Sequence, residues 1–481
     1  MKDSTSQSRM RRSLLAACLA VALGAGDTRA EPAGGAGYAE STASPDFARL
    51  ASWIRSHAGP APAGRGGAVH VVAHCDDDGP GSLRQAVLDA ASGDTIDMGS
   101  LACSTISLTT GAIVTAANDL ALIGPGRDSL AIDAGHTSRV LVHAGNGQLY
   151  ARGFTVVNGA KYAGADNDAS GGCIHSQGYV VMSDAAAVDC LAQADGNGDA
   201  FGGAIYARDG AALLHSVVSG SRAHAVSGSA FGGGLYTAGG ASVKYGIFRD
   251  NIASSGTDSG FGGAAIVGGG ASIGFSTVHG NTADHIGGLG LTGSGATAPL
   301  AITHSTIADN HALASALGSG VFVGADASIT NSTITGNSEM NAAGTKYGAG
   351  LSAKYGTTID LRSTIVSGNT ITDGEAHLPS DIGAALGGDP PTITGSNNLV
   401  GSSASELPPD TRVTSFPELG PLADNGGPTP TMLPRSASMA IDAGEAMSDV
   451  DQRGQGFPRL VGTGVDIGAV ESDVIFADGF D

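Results

Sequence analysis

The chain has 481 residues, of which 77 are Gly, 41% are apolar and only 14% are charged. Apolar residues at that level, gathered in short β-branched runs, exclude a disordered Gly-rich chain, and the glycines lack a collagen period. A formal net charge of −21 argues against nucleic-acid binding, and against strongly anionic polysaccharides unless a metal intervenes or the charge is unevenly spread.

Residues 1–30 read as a secretory leader. Arg9, Arg11 and Arg12 form its basic region, Ser13 to Gly26 its apolar stretch, and Thr28-Arg29-Ala30 its cleavage site. Leu15-Ala16-Ala17-Cys18 matches a lipoprotein box, but the apolar run continues past Cys18, which favours cleavage after Ala30. No segment is long and apolar enough to form a transmembrane helix. Residues 31–67 are rich in Ala, Gly and Pro and read as a linker.

Residues 68–160 should hold an N-terminal cap and the first coils. Val69-His70-Val71-Val72 is a strand, Asp78-Gly79-Pro80-Gly81 a turn, and Ser82 the start of a helix with Gln85 at capping-box spacing. Leu83, Ala86, Val87 and Ala90 give that helix one apolar face to lay across the first coil. Strands follow near Thr105–Leu108, Leu120–Ile123, Leu130–Ile132 and Val140–Val142.

Removing the leader leaves Cys75, Cys103, Cys173 and Cys190. An even number in an exported chain points to disulfides. Three pairings are possible, and proximity favours Cys75–Cys103 with Cys173–Cys190. Without a Cys-x-x-Cys, zinc is the weaker reading.

Residues 161–372 repeat themselves. Units open at Gly171, Gly202, Gly232, Gly262, Gly287, Gly318 and Gly348, in steps of 31, 30, 30, 25, 31 and 30 residues. Phe201, Phe231 and Phe261 mark three boundaries. About 14 residues into each unit comes a second motif: SVVSGS from Ser216, STVHGN from Ser276, STIADN from Ser305, STITGN from Ser332 and, with one extra residue, STIVSGN from Ser363. Val218, Phe248, Val278, Ile307, Ile334 and Ile365 then align, as do Asn251, Asn281, Asn310, Asn337 and Asn369.

Strand alternation should turn the aliphatic column inward and the Thr of each Ser-Thr-Ile outward. One coil cannot bury its apolar column, but stacked coils can. The Asn column should supply left-handed turns and hydrogen-bond along the stack. These features specify an all-β right-handed parallel β-helix with a short N-terminal capping helix. A helical solenoid fails on periodicity, and a propeller on repeat length. Residues 373–481 should hold the last coils and a separate, Pro-punctuated C-terminal region.

Both ends carry motifs of a known kind. Asp78 to Ala86, Gly93-Asp94-Thr95-Ile96, Leu108-Thr109-Thr110-Gly111 and Gly124-Pro125-Gly126 resemble the opening of exported bacterial β-helix repeat proteins. Leu419 to Thr429, Ala440-Ile441-Asp442-Ala443-Gly444, Asp451-Gln452-Arg453-Gly454 and Val465 to Ala469 resemble the choice-of-anchor Q domain. The resemblance spans residues 69–471 and implies a secreted or surface protein with a pectate-lyase-like fold. It implies no agreed activity and no catalytic residues. The chain departs from sortase-type and helix-anchored members, ending instead in the acidic-aromatic segment Val474 to Asp481.

Catalytic residues are not identifiable. The segments of galacturonase-type hydrolases and the Trp-Ile-Asp-His segment of pectate lyases are absent, and Ser227-Gly228-Ser229-Ala230 does not complete a Gly-x-Ser-x-Gly elbow. The metal candidate is a calcium loop at Asp195, Asn197 and Asp199, although Ala200 stands where the loop Gly is expected and Tyr206 where the final Glu is. Tyr206 and Tyr236, one unit apart, are glycan-stacking candidates or plain ladder packing. His215 and His304 share a column with Tyr245, Phe275 and Asn331, and read with the other repeat histidines as scattered surface residues. The expectation is a secreted or surface β-helix that presents a repeat face for adhesion, to polysaccharide or matrix. A polysaccharide lyase or glycoside hydrolase is the alternative.

Overall fold

The structure is a computed structural model that describes residues 67–472, apart from 166, 294–298, 315–316, 341–347, 375, 386–388 and 446. The expected leader, all but the end of the linker, and the tail at 474–481 lie outside these residues. The chain winds into a right-handed parallel β-helix. Three parallel sheets of ten, twelve and twelve strands run along it, a nine-stranded sheet, parallel except for its last pair, joins them from Ala160, and a four-stranded flange lies beside them. Among the described residues no helix is long and apolar enough to cross a membrane.

One coil shows the plan. Ile174–Ser176 lies in the first face, Tyr179–Ser183 in the second, Ala186–Val188 in the third, Leu191–Ala194 in the fourth, and Ala200–Phe201 in the flange. The next coil repeats the order in register, with Ile174 on Ile205 and Ala187 on Val218. At the corner between flange and first face the backbone turns through left-handed glycines, Gly171, Gly202 and Gly232, at φ of 60°, 60° and 69°. A Cβ at Gly202 would overlap the Ile205 carbonyl, which is why the repeat keeps Gly there.

The aliphatic column is continuous from Val218 through Phe248, Val278 and Ile307 to Ile334. Its next member is Val366, not Ile365, because Ile365 pairs with Thr333. Ser363 takes the left-handed position of Asn331, so the segment carries no extra residue. A one-residue slip in the alignment reverses which side chain faces in.

The Asn column is wholly buried and does bond along the axis. The Nδ2 groups of Asn251, Asn281, Asn310 and Asn337 each donate to the next Asn Oδ1 at 2.8–2.9 Å. Asn369 closes the row on the Asp381 carboxylate at 2.8 Å. The left-handed turn, however, belongs to the preceding residue: Asp250, Gly280, Asp309, Gly336 and Gly368 have the positive φ. At the other end Ser221 donates its N–H to Asn251 Oδ1, and Cys190 donates to Ser221 Oγ. Cys190 is disulfide-bonded to Cys173 across the coil, and Cys75 to Cys103 in the cap, with Cα separations of 5.5 and 6.4 Å.

Helix α1, Leu83–Asp89, caps the N-terminal end with Leu83, Ala86 and Val87 buried. Ser82 Oγ accepts from Gln85 N at 3.1 Å, but the reciprocal half of the capping box is missing, because the Ser82 N–H donates to the Gly79 carbonyl at 3.1 Å and the Gln85 side chain turns to Asp89. Arg84 pins the cap through Asp77 Oδ1 and the Gly111 and Ala112 carbonyls. Asp77 Oδ2 accepts from the Thr109 and Thr110 amides. Burial would raise the Asp77 carboxyl, but Arg84, Thr109 and Thr110 together hold it well below the usual carboxylate range. The opening motifs are thus one electrostatic clamp.

The C-terminal region is a strap folded back along the third face. Thr277, Thr306 and Thr333 do point out of the coil, yet all are buried, because the strap covers them. Thr277 Oγ1 donates to the Pro430 carbonyl at 2.6 Å, Thr306 Oγ1 to Gln452 Oε1 at 2.7 Å, and Ala469 N to Thr333 Oγ1 at 3.0 Å. Beneath the strap Arg453 pairs with Asp451 at 2.7 Å and Arg459 with Glu471 at 3.2 Å, all four nearly inaccessible. Asp466 joins them, accepting from Asp442 N and Ser472 N.

Candidate functional site

The corner between flange and first face gathers aromatic rings. Strand register places His175, Tyr206 and Tyr236 in consecutive coils on the outside of the first face. Their rings stack: His175 on Tyr206 at 5.0 Å and 7°, Tyr206 on Tyr236 at 5.7 Å and 10°. The flange adds a second stack, Phe201 on Phe231 at 5.3 Å and Phe231 on Phe261 at 5.4 Å, ending on His285 at 4.8 Å. The two stacks meet edge to face, Phe201 against Tyr236 at 5.0 Å and 62°. The flange rings are the more buried and wall the corner, while Tyr206 and Tyr236 remain half-exposed. Offset and edge-to-face contacts at these distances are the preferred aromatic geometries.

Polar groups finish the N-terminal end of this ladder. His175 Nδ1 pairs with Ser170 Oγ at 2.9 Å, and the Gln177 amide donates to His175 Nε2 at 3.1 Å. Burial, then the charges of Arg139 and Lys161, push the His175 pKa down to about 4, so the imidazole is neutral at pH 7. Arg139 donates from Nε and Nη2 to the Ser170 carbonyl at 3.0 and 2.9 Å. Burial lowers its guanidinium to about 10. Lys161, on the first strand of the fourth face, is lowered by burial and by Arg139. On the second face Tyr179 lays its ring over Gly210, and burial with the Asp209 charge raises its hydroxyl to about 12.

The other sequence candidates lie apart from this corner. Asp195, Asn197 and Asp199 occupy the turn between fourth face and flange. Asp199 Oδ1 accepts from Ser229 N at 2.7 Å and Asp168 Oδ1 from Asp199 N at 2.8 Å, so the Asp199 carboxylate ties one coil to the next. Asp195 accepts from Gln193 at 3.3 Å. Among the described residues no three His, Cys, Asp or Glu side chains converge as a metal site.

Four of the repeat histidines, His175, His215, His285 and His304, lie in ring stacks, while His224, His279 and His311 do not. His215, Tyr245, Phe275 and His304 form a third ring stack, with centroids 4.6, 5.2 and 4.8 Å apart, on left-handed residues at the edge of the third face. His304 Nε2 pairs with Ser448 of the strap at 2.7 Å, and burial, with Arg459 nearby, drops its pKa to about 3. Two repeat histidines, His285 and His304, therefore end ring stacks, and two, His175 and His215, begin them. Arg139 and Lys161 were not visible as site residues, because they precede the clear repeats. The Phe201, Phe231 and Phe261 boundary marks were the available signal for the corner.

No family model matches the chain, and no curated protein matches it. Among solved structures it is similar to one described as "Crystal structure of pectate lyase Pel9A", at 13% identity and a TM-score of 0.37, over 85% of this chain and 98% of that one. That likeness assigns no residue and no activity to this chain.

Proposed function

We propose that the protein is an exported β-helix that binds glycan along the first face and does not turn it over, acting as a secreted or surface contact module. The ring ladder of His175, Tyr206 and Tyr236 carries this reading. The partly exposed edges of these stacked rings, recurring every 5–6 Å and bordered by hydroxyl and amide groups, offer alternating apolar and polar contact to a sugar chain. The leader-like N-terminus and two disulfides support export. The resemblance to choice-of-anchor Q proteins supports retention at a surface.

The test uses the chain from residue 31 with a panel of neutral and acidic polysaccharides, with and without calcium. Binding, reducing ends and unsaturated-uronate absorbance are followed together. The expected result is binding without turnover, weakened about tenfold by Tyr206→Ala, since truncating an aromatic anchor typically costs over 1 kcal/mol. Absence of binding to every glycan defeats the reading. Turnover replaces it with the lyase or hydrolase alternative, for which Arg139 and Lys161, both pushed down by burial, are the first bases to replace. A calcium requirement in any arm would direct attention to Asp195, Asn197 and Asp199.

A further inference from the structure

The ring ladder ends where the solenoid widens. The fourth face begins at Ala160–Ala163 and the flange at Ala169–Ser170. The first strand of an added sheet presents an open edge. Arg139, one coil earlier, covers part of it by donating to the Ser170 and Gly171 carbonyls at 2.9–3.1 Å. Those bonds use Nε and Nη2, and leave Nη1 with no acceptor among the described residues. Ser170 then links Arg139 to the ladder, since its hydroxyl holds the His175 ring. Lys161 stands on the neighbouring edge strand, half-exposed, and among the described residues neither it nor Arg139 belongs to an ion pair.

Ala160 N donates to the Ser138 carbonyl at 2.7 Å, which sets Lys161 beside Arg139, and among the described residues neither cation is paired with a carboxylate, in a chain whose net charge is −21. A guanidinium fixed by its backbone bonds and a flexible ammonium beside it form a two-sided receptor for one anion. We infer that this ledge is an anion subsite, in which Lys161 and Arg139 Nη1 take a carboxylate or sulfate borne by a sugar at the His175 end of a chain stacked on Tyr206 and Tyr236. The inference rests on the glycan reading above and narrows it to acidic glycans. It also removes the objection raised by the overall charge, because the local sign at the ledge is positive.

Three oligosaccharides of equal length separate the outcomes: a neutral one, a uronate and a sulfated one, each titrated by calorimetry against the chain from residue 31. The expected result is at least one anionic ligand bound about tenfold more tightly than the neutral one, the gain of a charge-assisted contact. The carboxylate and sulfate arms show which anion the ledge accepts. Lys161→Gln should remove that preference and leave neutral binding unchanged, and raising salt from 50 to 500 mM should do the same. Among the described residues the Lys161 side chain makes no hydrogen bond or ion pair, so this variant tests the ledge without loosening the flange edge that Arg139 holds. Equal binding of all three ligands, or an unchanged preference in Lys161→Gln, overturns the subsite and leaves the glycan reading standing. Binding of none overturns both.

Discussion

Replacing Asn310 by Ala should loosen the solenoid from the middle outward. Asn310 is fully buried, and its Nδ2 donates to Asn337 Oδ1, Val278 O and Ala308 O at 2.9–3.1 Å. Its Oδ1 accepts from Asn281 N at 3.1 Å and from Asn281 Nδ2 at 2.9 Å. The losses are unequal. Asn281 Nδ2 keeps the Phe248 and His279 carbonyls, and Asn337 Oδ1 keeps Asn310 N. Asn281 N–H keeps nothing, because the Asn310 side chain is its acceptor. An orphaned buried N–H costs about 1–3 kcal/mol, and each lost but compensated bond about 1 kcal/mol or less. The expected destabilisation is therefore about 3–5 kcal/mol. Long repeat arrays need not unfold in one step, so a single midpoint is a poor readout. Hydrogen exchange read by mass spectrometry is better: protection should fall over peptides covering 275–285 and 305–312 and stay near wild type at 95–125. The exposed Asn146→Ala is the control, within about 0.5 kcal/mol of wild type. Unchanged protection at 275–285 would refute the claim that the amide row holds the coils together.

Two further outcomes are expected. Glu471 sits under the strap with Arg459 at 3.2 Å, yet burial outweighs that partner and raises its pKa to about 8. A carboxyl raised on folding stabilises the protein fully below its unfolded value near 4.5 and loses that contribution as pH rises through about 8. Strap protection over 440–472 should therefore weaken between pH 6 and 9, and Glu471→Gln should flatten that dependence. An identical pH profile in the variant would contradict the assignment. The Cys173–Cys190 bridge closes a separation of 17 residues, so opening it should cost about 3 kcal/mol, read as lower hydrogen-exchange protection over 170–195 in Cys190→Ser.

The coil plan was legible because it is local: aliphatic and Asn columns recur every 27 to 32 residues, and strand alternation fixes their direction. The helix cap was legible for the same reason, since Ser82 and Gln85 are three residues apart. What failed was long-range. Thr277 reads as a solvent-facing residue, and only a partner 175 positions away, Gln452, makes it buried. The slip at Ser363 had the same origin. Matching the letters Ser-Thr-Ile placed Ile365 inside, whereas the fold puts Ile365 in the outer Thr column, where Ile467 and Ala440 of the strap cover it. An aliphatic residue in an outward column was the trace of that cover. The left-handed turn was assigned one residue late because Asn suits both roles, and burial lets the ladder claim it.

The strap also decides which surface can do the work of binding. It hydrogen-bonds to every outward Thr from Thr277 to Thr333, and it brings its own buried ions to do so. Burying Arg453, Arg459, Asp451 and Glu471 is favourable only if each finds partners, which explains why the C-terminal motif residues are those of the docking network. The third face is thereby closed from Thr277 onward, while its N-terminal strands keep exposed outward residues such as Thr105 and Arg249. The first face keeps its ring ladder outside the strap, with Tyr206 and Tyr236 half-exposed and the flange rings standing as a wall on one side. A ligand approaching the solenoid laterally at that corner meets stacked rings flanked by Ser170 and Gln177, and meets Arg139 and Lys161 at the ledge where the flange begins. Orientation follows from that asymmetry: an acidic glycan would lie along the solenoid axis with its charged sugar toward the N-terminal cap, so blocking the ledge should free the chain to slide or reverse on the rings.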